Sequence, residues 1–271
     1  MIGTVLVLGA AFVMIDLGLW QLRRLHQSVE RNAAIHGRMT APPMPLADAL
    51  ARYDFSVPLG AASSAAYRHV KVSGRFDPTD EVLLRSRSLG GHPGFDVLTP
   101  LELGGGRALL VDRGWVPFTD RDPPITDAAP PDGSVTVTGL LRDPDPIPSG
   151  FFKRISPQDP ATGPLKKTFY ANPQRLQAQM PFKLVGGYLQ LGTQTPAQSG
   201  PLPVPPAEPQ LSNGSHLSYT IQWFSFTAIT LGGFGAAAVR RARDPSADAD
   251  GEARDEERRR RRSGGGVPSG D

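Results

Sequence analysis

Two long apolar segments, one near each end of the chain, constrain the fold of this sequence more than any other feature. The first, residues 2–20, contains Asp16 as its only charged residue, and the second, residues 217–239, contains no charged residue. Each is long enough to cross a hydrocarbon layer about 30 Å thick at about 1.5 Å per residue of helix. We therefore predict a first transmembrane helix over residues 1–20 and a second over residues 217–239.

Each apolar segment also has an alternative interpretation. A segment close to the N-terminus fits a cleaved signal peptide, and the second segment fits a buried helix of a soluble domain. No small-residue cleavage site follows the first segment, and Trp20 leads directly into a helical pattern over residues 21–34. Arg240, Arg241 and Arg243 follow the second segment, as is typical of the cytoplasmic end of a span. We expect both segments to be membrane anchors.

The basic residues beside the two spans indicate opposite orientations. The arginines after the second span place the C-terminal tail in the cytoplasm, whereas Arg23, Arg24 and Arg31 would place the middle of the chain there. Long loops cross membranes largely regardless of their charge, so the second span decides. We predict an extracytoplasmic middle domain and a cytoplasmic tail. Because no basic residue precedes residue 2, we also expect the native chain to begin further upstream.

Residues 21–210, between the spans, are polar and rich in turn-forming residues. Runs of β-forming residues bounded by Gly, Pro and Asp cover residues 67–76, 81–87, 95–103, 107–117, 135–142 and 184–193. Gly104, Gly105 and Gly106 predict a hairpin loop, and short helices are expected over residues 46–53 and 174–179. Short strands with close turns favour a curled or barrel-like, mainly antiparallel sheet over βαβ units. A Pro-rich linker, residues 195–209, leads to the second span.

The fold class that follows is two transmembrane α-helices bracketing a mainly antiparallel β (α+β) extracytoplasmic domain. The tail over residues 240–271 contains nine arginines and eight acidic residues, and we expect it to be disordered. The chain contains no cysteine, which excludes a disulfide scaffold, thiolate zinc sites, iron–sulfur clusters and cysteine nucleophiles. A net charge of +3 does not favour a nucleic-acid partner.

The start of the second span, NGSHLSYTIQWF, contains the most informative polar residues. His216, Tyr219, Trp223, Thr227 and Thr230 are spaced 3, 4, 4 and 3 residues apart, which places them on one helix face. One interpretation is an interfacial aromatic belt with a hydrated histidine. The other is that the His216 imidazole binds the iron of a haem at the membrane surface, with Tyr219 and Trp223 beside the porphyrin.

Trp20, Arg23 and Arg24 lie where the first span ends. Arginine side chains bind carboxylates in a bidentate manner, so Arg23 or Arg24 is a candidate for holding haem propionates. Interfacial anchoring is the alternative role for both. No Ser, His and Asp arrangement and no pair of carboxylates suited to acid–base chemistry stands out in the sequence, so an enzyme is not expected.

Six motifs occur in an order that resembles the Surfeit locus protein 1 family. They are LGLWQLRRL, GRF, HPGFDVLTPL, LLVDRGWVP, GLLR and HLSYTIQWF, and the resemblance extends over roughly residues 10–235. The resemblance implies a protein that assists assembly of haem–copper cytochrome c oxidase by helping haem a reach subunit I. It also implies a middle domain outside the cytoplasmic or mitochondrial matrix compartment.

The resemblance assigns roles to individual positions. His216 matches the family histidine implicated in haem a binding, Tyr219 and Trp223 match the aromatic residues that follow it, and Trp20 and Gln21 match the family's WQ. A further set of positions matches motif residues with structural roles: Gly94, Arg113, Gly114 and Trp115.

We therefore expect a multi-pass, non-catalytic haem a chaperone in the plasma membrane of a bacterium. Its expected partners are oxidase subunit I, other oxidase assembly factors, haem a synthase and the lipid bilayer. The alternative is a membrane scaffold that docks oxidase subunits and binds no haem.

Overall fold

The computed structural model describes residues 2–52, 66–119, 122–243 and residue 256. The chain divides into two compact units. We call Met1–Glu30 with Ser212–Asp271 the helical unit, and Arg31–Leu211 the sheet unit. Most of the tail that the sequence predicts to be disordered lies outside the described residues.

The described residues form five α-helices and eight strands. In chain order the helices are α1 (Ile2–Met39), α2 (Leu46–Arg52), α3 (Gly150–Ile155), α4 (Pro173–Leu176) and α5 (His216–Arg243). The strands are β1 (Met44–Pro45), β2 (His69–Phe76), β3 (Val82–Leu89), β4 (His92–Gly104), β5 (Arg107–Pro117), β6 (Ser134–Arg142), β7 (Lys167–Thr168) and β8 (Lys183–Thr195).

The first apolar segment is the beginning of a much longer helix, α1, of 38 residues. The helical pattern predicted over residues 21–34 continues α1 without a break, as expected, and α1 ends near Thr40. The backbone N–H and the hydroxyl of Thr40 both donate to the His36 carbonyl, each at 2.9 Å. Pro42 and Pro43 follow, and proline cannot continue the helical hydrogen-bond ladder.

Within the described ranges, one helix, α1, is long and apolar enough to cross a membrane. Helix α5 has 28 residues, and large apolar side chains along it are exposed: Leu217, Ile221, Phe226, Ile229 and Val239. Ser, Thr and Gln residues are distributed along the apolar part of α5. A second transmembrane helix therefore stays a prediction, as does the position of the middle domain outside the cytoplasm.

The strands form one mixed sheet in the order β1-β2-β6-β8-β5-β4-β3-β7. Strand β2 also pairs with β4, which closes β2, β6, β8, β5 and β4 into a ring. The interior contains buried aliphatic side chains, including Val70, Leu101, Leu109, Val111, Val137, Leu141 and Leu189. The predicted curled or barrel-like sheet agrees with this closure.

Strand pairing is less uniformly antiparallel than the sequence suggests. Three pairs are parallel: β1 with β2, β3 with β7, and β5 with β8. In the longest of them, Arg107 lies opposite Lys183 and Asp112 lies opposite Gln190. Short turns identify antiparallel neighbours, but β8 arrives after a long connection and inserts between β5 and β6. The predicted mainly antiparallel sheet is therefore a mixed sheet, with five antiparallel and three parallel pairs among the described strands.

Two glycines of the resembling motifs lie where a side chain cannot fit. A Cβ at Gly94 would collide with the Val116 carbonyl oxygen, and one at Gly114 would collide with the Val204 carbonyl oxygen. Gly114 also has a φ of +123°, which L-residues rarely adopt. The structural roles expected for these positions are therefore consistent with the packing around them.

The Pro-rich linker lies along the sheet unit. Its residue Val204 exchanges two backbone hydrogen bonds with Trp115, at 2.8 and 2.9 Å. The Gln190 side chain donates to the Ala207 carbonyl at 2.7 Å. Extended backbone was expected for this segment, but its docking on β5 and β8 was not, because proline content alone gives no pairing partner.

A buried ion pair lies within the sheet unit. The Arg113 and Glu81 side chains are 0% and 1% exposed, with Arg113 Nη1 3.5 Å from Glu81 Oε2. Thr99 Oγ1 and the Ile125 backbone N–H each donate to the Glu81 carboxylate at 2.9 Å, and Arg113 Nη2 donates to the Ala128 carbonyl at 2.6 Å. Burial raises the pKa of Glu81 and lowers the pKa of Arg113 to about 10. At neutral pH the Arg113 guanidinium is charged and lies beside the Glu81 carboxyl group.

Asp96 makes the stability of the sheet unit depend on pH. Burial raises the pKa of Asp96 to about 6, although Arg87 Nε, 3.0 Å away, opposes this shift. Burial also raises the pKa of the neighbouring Asp112. Between about pH 4 and pH 6 the folded chain keeps a proton that the unfolded chain has lost, so stability falls as pH rises through this window.

We therefore expect the thermal unfolding midpoint of the sheet unit to be higher at pH 5 than at pH 7. Asp96→Asn should reduce this difference, because the titrating carboxyl is absent, and the exposed Asp132→Asn should leave it unchanged. Circular dichroism melts at a series of pH values measure the effect. An Asp96→Asn protein with the full wild-type pH dependence would contradict this assignment.

Candidate functional site

Helices α1 and α5 of the helical unit lie side by side. The less exposed residues of α1 in this unit are Leu17, Leu22 and a row at spacings of three and four that comprises Val7, Ala11, Met14, Gly18, Gln21, Leu25 and Ser28. The same spacing occurs on α5 with His216, Thr220, Trp223, Thr227, Thr230 and Phe234. This periodicity is typical of two helices packed at a shallow angle. We call these two rows the helix seam.

Two contacts set the direction of the helix pair. Gln21 Oε1 is 2.8 Å from His216 Nδ1. A Cβ at Gly18 would lie 2.9 Å from the ring of Phe224, so the ring packs directly on this glycine. The earlier residue of α1, Gly18, contacts the later residue of α5, Phe224, and the later residue of α1, Gln21, contacts the earlier residue of α5, His216. The two helices are therefore antiparallel.

The hydrogen bond between Gln21 and His216 fits the imidazole tautomer that is protonated on Nδ1. Because an amide oxygen only accepts, Nδ1 of His216 donates to Gln21 Oε1. The neutral ring then has its lone pair on Nε2. No other described residue forms a hydrogen bond with Nε2. Metal-ligating histidines share this arrangement, with one nitrogen held by an acceptor and the other available to the metal.

The chain leaves space beside Nε2. Gly214 has a φ of +71°, and a Cβ there would be 3.5 Å from Nε2 of His216. A glycine at this turn therefore serves two purposes, since it permits the backbone conformation and keeps a side chain away from the imidazole. The start of α5 thus holds a partly buried histidine with one accessible nitrogen.

Of the two aromatic residues of α5 that the sequence predicts for the site, Trp223 lies in the helix seam and Tyr219 does not. Trp223 lies in the helix seam, and its ring makes an edge contact with Phe226 at 6.1 Å between centroids. Tyr219 is 46% exposed and lies off the seam, where Thr220 takes the place expected for it. At 3.6 residues per turn, positions 3 and 4 residues after His216 fall on either side of it, and the sequence spacing alone did not distinguish them.

Two threonines of the helix seam, Thr220 and Thr227, form hydrogen bonds through their hydroxyl groups within α5. Thr220 Oγ1 donates to the His216 carbonyl at 2.9 Å, and Thr227 Oγ1 donates to the Trp223 carbonyl at 3.0 Å. Hydroxyls bonded in this way carry little penalty in an apolar environment. The seam is therefore polar in sequence and compatible with a membrane.

Trp20, Arg23 and Arg24 lie beside the seam and are exposed. The Arg24 guanidinium lies 5.9 Å from the centre of the Trp20 ring, and its Nη1 donates to Gln27 Oε1 at 3.4 Å. Trp20 immediately precedes Gln21, so an exposed aromatic face lies one residue from the histidine's hydrogen-bond partner. The two arginines lack a carboxylate partner within the described residues.

The donor set suits an iron porphyrin better than a bare metal ion. Among the described residues, no group of three His or carboxylate side chains could hold a metal ion. A porphyrin already supplies four nitrogen ligands, so one axial imidazole completes a site, whereas zinc requires three or four protein ligands. His216 is therefore a candidate ligand for the iron of a porphyrin.

Sequence reasoning gave Gln21 no role of its own, and the structure gives it the closest contact to His216. The two residues are 195 positions apart, and no local pattern connects them. The sequence contains one indication of this contact. Gln21 is a polar residue within the mainly apolar row of α1 residues that faces α5.

Comparison with known proteins places these motifs in one family. The SURF1 family model matches residues 8–228, a range that includes Gln21 and His216. An uncharacterized SURF1-like protein of Mycobacterium tuberculosis is 34% identical over 230 residues, covering 83% of this chain and 78% of the relative. A SURF1-like protein of Caenorhabditis elegans is 24% identical over 248 residues, covering 84% and 72%. The chain belongs to the SURF1 family, whose members are generally linked to cytochrome c oxidase assembly as assembly factors rather than enzymes.

Proposed function

We propose that this chain is a membrane assembly factor that binds haem a and assists its insertion into subunit I of haem–copper cytochrome c oxidase. The observation that carries this proposal is the 2.8 Å hydrogen bond between Gln21 and His216. It supports the proposal because it orients the imidazole, fixes its tautomer and leaves Nε2 as a ligand for iron.

Other residues near the start of α5 offer complementary chemistry. The exposed rings of Trp20 and Tyr219 can pack against the apolar porphyrin. Arg23 and Arg24 are candidates for the propionates, since guanidinium groups bind carboxylates in a bidentate manner. The haem would supply the iron and its four equatorial nitrogens, and the chain would supply one axial ligand.

A single axial ligand suits a carrier better than two. A protein that passes haem to an oxidase subunit must hold the group without trapping it. One imidazole with exposed aromatic neighbours permits displacement by a stronger site, whereas a second strong ligand would slow release. The described part of the helical unit offers His216 and the exposed His26 as imidazoles, and His26 has no comparable hydrogen-bond partner.

The proposed setting is the plasma membrane of a bacterium. Helix α1 supports attachment, and relatives occur in bacteria including Mycobacterium tuberculosis and Rickettsia felis. We propose that α5 is a second span, that the sheet unit is extracytoplasmic and that the tail is cytoplasmic. Subunit I, other assembly factors and haem a synthase are the proposed protein partners.

Substitution of Gln21 tests the proposed tautomer. Gln21→Leu should weaken haem binding by the full chain about 10- to 100-fold, because the partner that orients a metal-ligating histidine is lost. Titration of the detergent-solubilised protein with haemin, followed by absorbance, measures the affinity. Gln21→Glu keeps an acceptor and should retain binding, and Gln222→Leu is the matched control at an exposed glutamine on α5. Equal affinities for wild type and Gln21→Leu would contradict the proposed role.

A further inference from the structure

Helix α3 of the sheet unit presents an unusual apolar surface. Phe151, Phe152 and Ile155 are 70%, 67% and 67% exposed, and the preceding Ile147 is 50% exposed. The two phenyl rings contact each other edge to face, with centroids 6.0 Å apart. Single exposed apolar residues are common on protein surfaces, but a cluster of four large ones indicates a binding surface. We call these four side chains the apolar tip.

Cations surround the apolar tip. Lys153 and Arg154 belong to α3 itself, and both are exposed. Lys153 also lines a cavity of about 350 Å³ together with Ile147, Tyr170 and Arg175. The cavity therefore joins one member of the apolar tip to two basic side chains.

The carboxylate of this cavity is already engaged. Asp159 accepts hydrogen bonds from Thr168 Oγ1 at 2.7 Å and from the Phe169 backbone N–H at 2.9 Å. Its charge is therefore partly compensated from within the sheet unit. Lys153 has an ammonium group for which no carboxylate partner lies among the described residues. The balance of charge in and beside the cavity favours an anionic ligand.

We propose that the apolar tip and this cavity form a docking site for anionic phospholipid. Phe151, Phe152 and Ile155 enter the boundary between headgroups and acyl chains, while Lys153 and Arg175 bind a lipid phosphate in the cavity. Exposed aromatic residues interspersed with Lys and Arg are the composition that favours this interface. The inference rests on the proposed membrane attachment through α1 and is independent of haem.

A bilayer fits this surface better than a protein partner does. The apolar tip comes from one short helix and the residue just before it, whereas a specific protein interface covers about 800 Å² on each side and about 20–30 residues. Anionic lipid also satisfies the cations and the apolar rings together. A chain anchored by α1 keeps lipid at a high local concentration, so even a small docking site would be occupied.

The 271-residue chain contains no cysteine, so a single labelled cysteine permits a direct test in the whole chain. Phe152→Cys, labelled with an environment-sensitive nitrobenzoxadiazole fluorophore, is placed in nanodiscs of phosphatidylcholine alone or with phosphatidylglycerol. We expect blue-shifted emission and quenching by doxyl-labelled lipid, both stronger with phosphatidylglycerol. The same label at the exposed loop position Asp132→Cys is the control and should remain in an aqueous environment.

Charge removal tests the ionic part of the proposal. In the labelled protein, Lys153→Gln and Arg175→Gln should each lower the ratio of docked to undocked label in phosphatidylglycerol nanodiscs about fivefold. Lys71→Gln, at an exposed lysine on β2, should leave this ratio unchanged. Phe151→Ser should lower the ratio in both lipid compositions, because it removes an apolar contact rather than a charge.

Two outcomes would overturn the lipid-docking site. One is a label at position 152 that stays aqueous in both kinds of nanodisc, and the other is a label that becomes shielded only when oxidase subunits are added. Failure of the chain to enter nanodiscs would instead overturn the membrane attachment on which the inference rests. Because no haem is present in these measurements, their result does not depend on the proposed haem site.

Discussion

Replacing Glu81 with alanine is expected to lower the free energy of unfolding of the sheet unit by about 3–5 kcal/mol, because it leaves a buried guanidinium without its anion. Arg113 is fully buried, and its compensating charge comes from Glu81. The substitution also removes the acceptor for Thr99 and for the Ile125 backbone N–H. Three groups thus lose a hydrogen-bond or charge partner at a buried position.

Denaturant unfolding of the full chain in mild detergent, followed by circular dichroism of the β signal, measures this effect. Glu102→Ala is the matched control, since Glu102 is an exposed glutamate on β4 and its removal should change stability by less than about 0.5 kcal/mol. Glu81→Gln keeps the shape and part of the hydrogen bonding, so its cost should be smaller than that of alanine. A loss below about 1 kcal/mol for Glu81→Ala would contradict the proposed importance of the ion pair.

The sequence was most informative where local patterns decide the structure. The predicted strand over residues 107–117 matches β5, because a run of β-forming residues begins directly after Gly106 and ends at Pro117. The hairpin at Gly104, Gly105 and Gly106 also agrees, since all three residues have positive φ angles that suit a tight turn. Local propensity is sufficient for such elements.

Pairings between distant segments could not be read from the sequence. The parallel β5–β8 pair, the docking of Val204 on Trp115 and the contact between Glu81 and Arg113 each join segments far apart in the chain. Each depends on tertiary packing. The hydrophobic periodicity of a segment does not show with which distant residues that segment pairs. The family resemblance pointed to Arg113 and Trp115 as structural positions without indicating what they contact.

In the candidate site, too, local sequence patterns predicted some features, and contacts between distant segments could not be predicted. Histidine at the start of an apolar helix identified His216, and helical spacing placed Trp223 on the same side. The spacing also suggested Tyr219, but the helix seam contains Thr220 instead. The partnership with Gln21 required the antiparallel arrangement of two helices at opposite ends of the chain, which the sequence does not specify.

Replacing His216 with alanine is expected to remove bound haem from the protein. In the proposed site His216 is the one protein ligand of the iron, so its loss should weaken haem binding at least about a hundredfold. This exceeds the effect of about 10- to 100-fold that we expect from the loss of its hydrogen-bond partner Gln21. The ratio of haem to protein after purification from cells that make haem a measures the effect. The exposed His26→Ala on α1 is the matched control and should retain the wild-type ratio.

Oxidase assembly in the same cells separates the haem carrier from a scaffold. We expect His216→Ala to lower the amount of haem a in assembled oxidase, while the variant still inserts in the membrane through α1. A scaffold that binds no haem would support full assembly with or without the imidazole. Normal oxidase haem content in cells that contain only the His216→Ala chain would therefore favour the scaffold.

The optical spectrum of the full-length wild-type protein, purified in detergent from membranes of cells that synthesise haem a, tests the central claim most directly. The proposed function predicts the Soret and α bands of haem a on the purified chain, with a shift when an exogenous ligand displaces the imidazole of His216. A folded, membrane-derived protein without these bands, from cells shown to contain haem a, would contradict it.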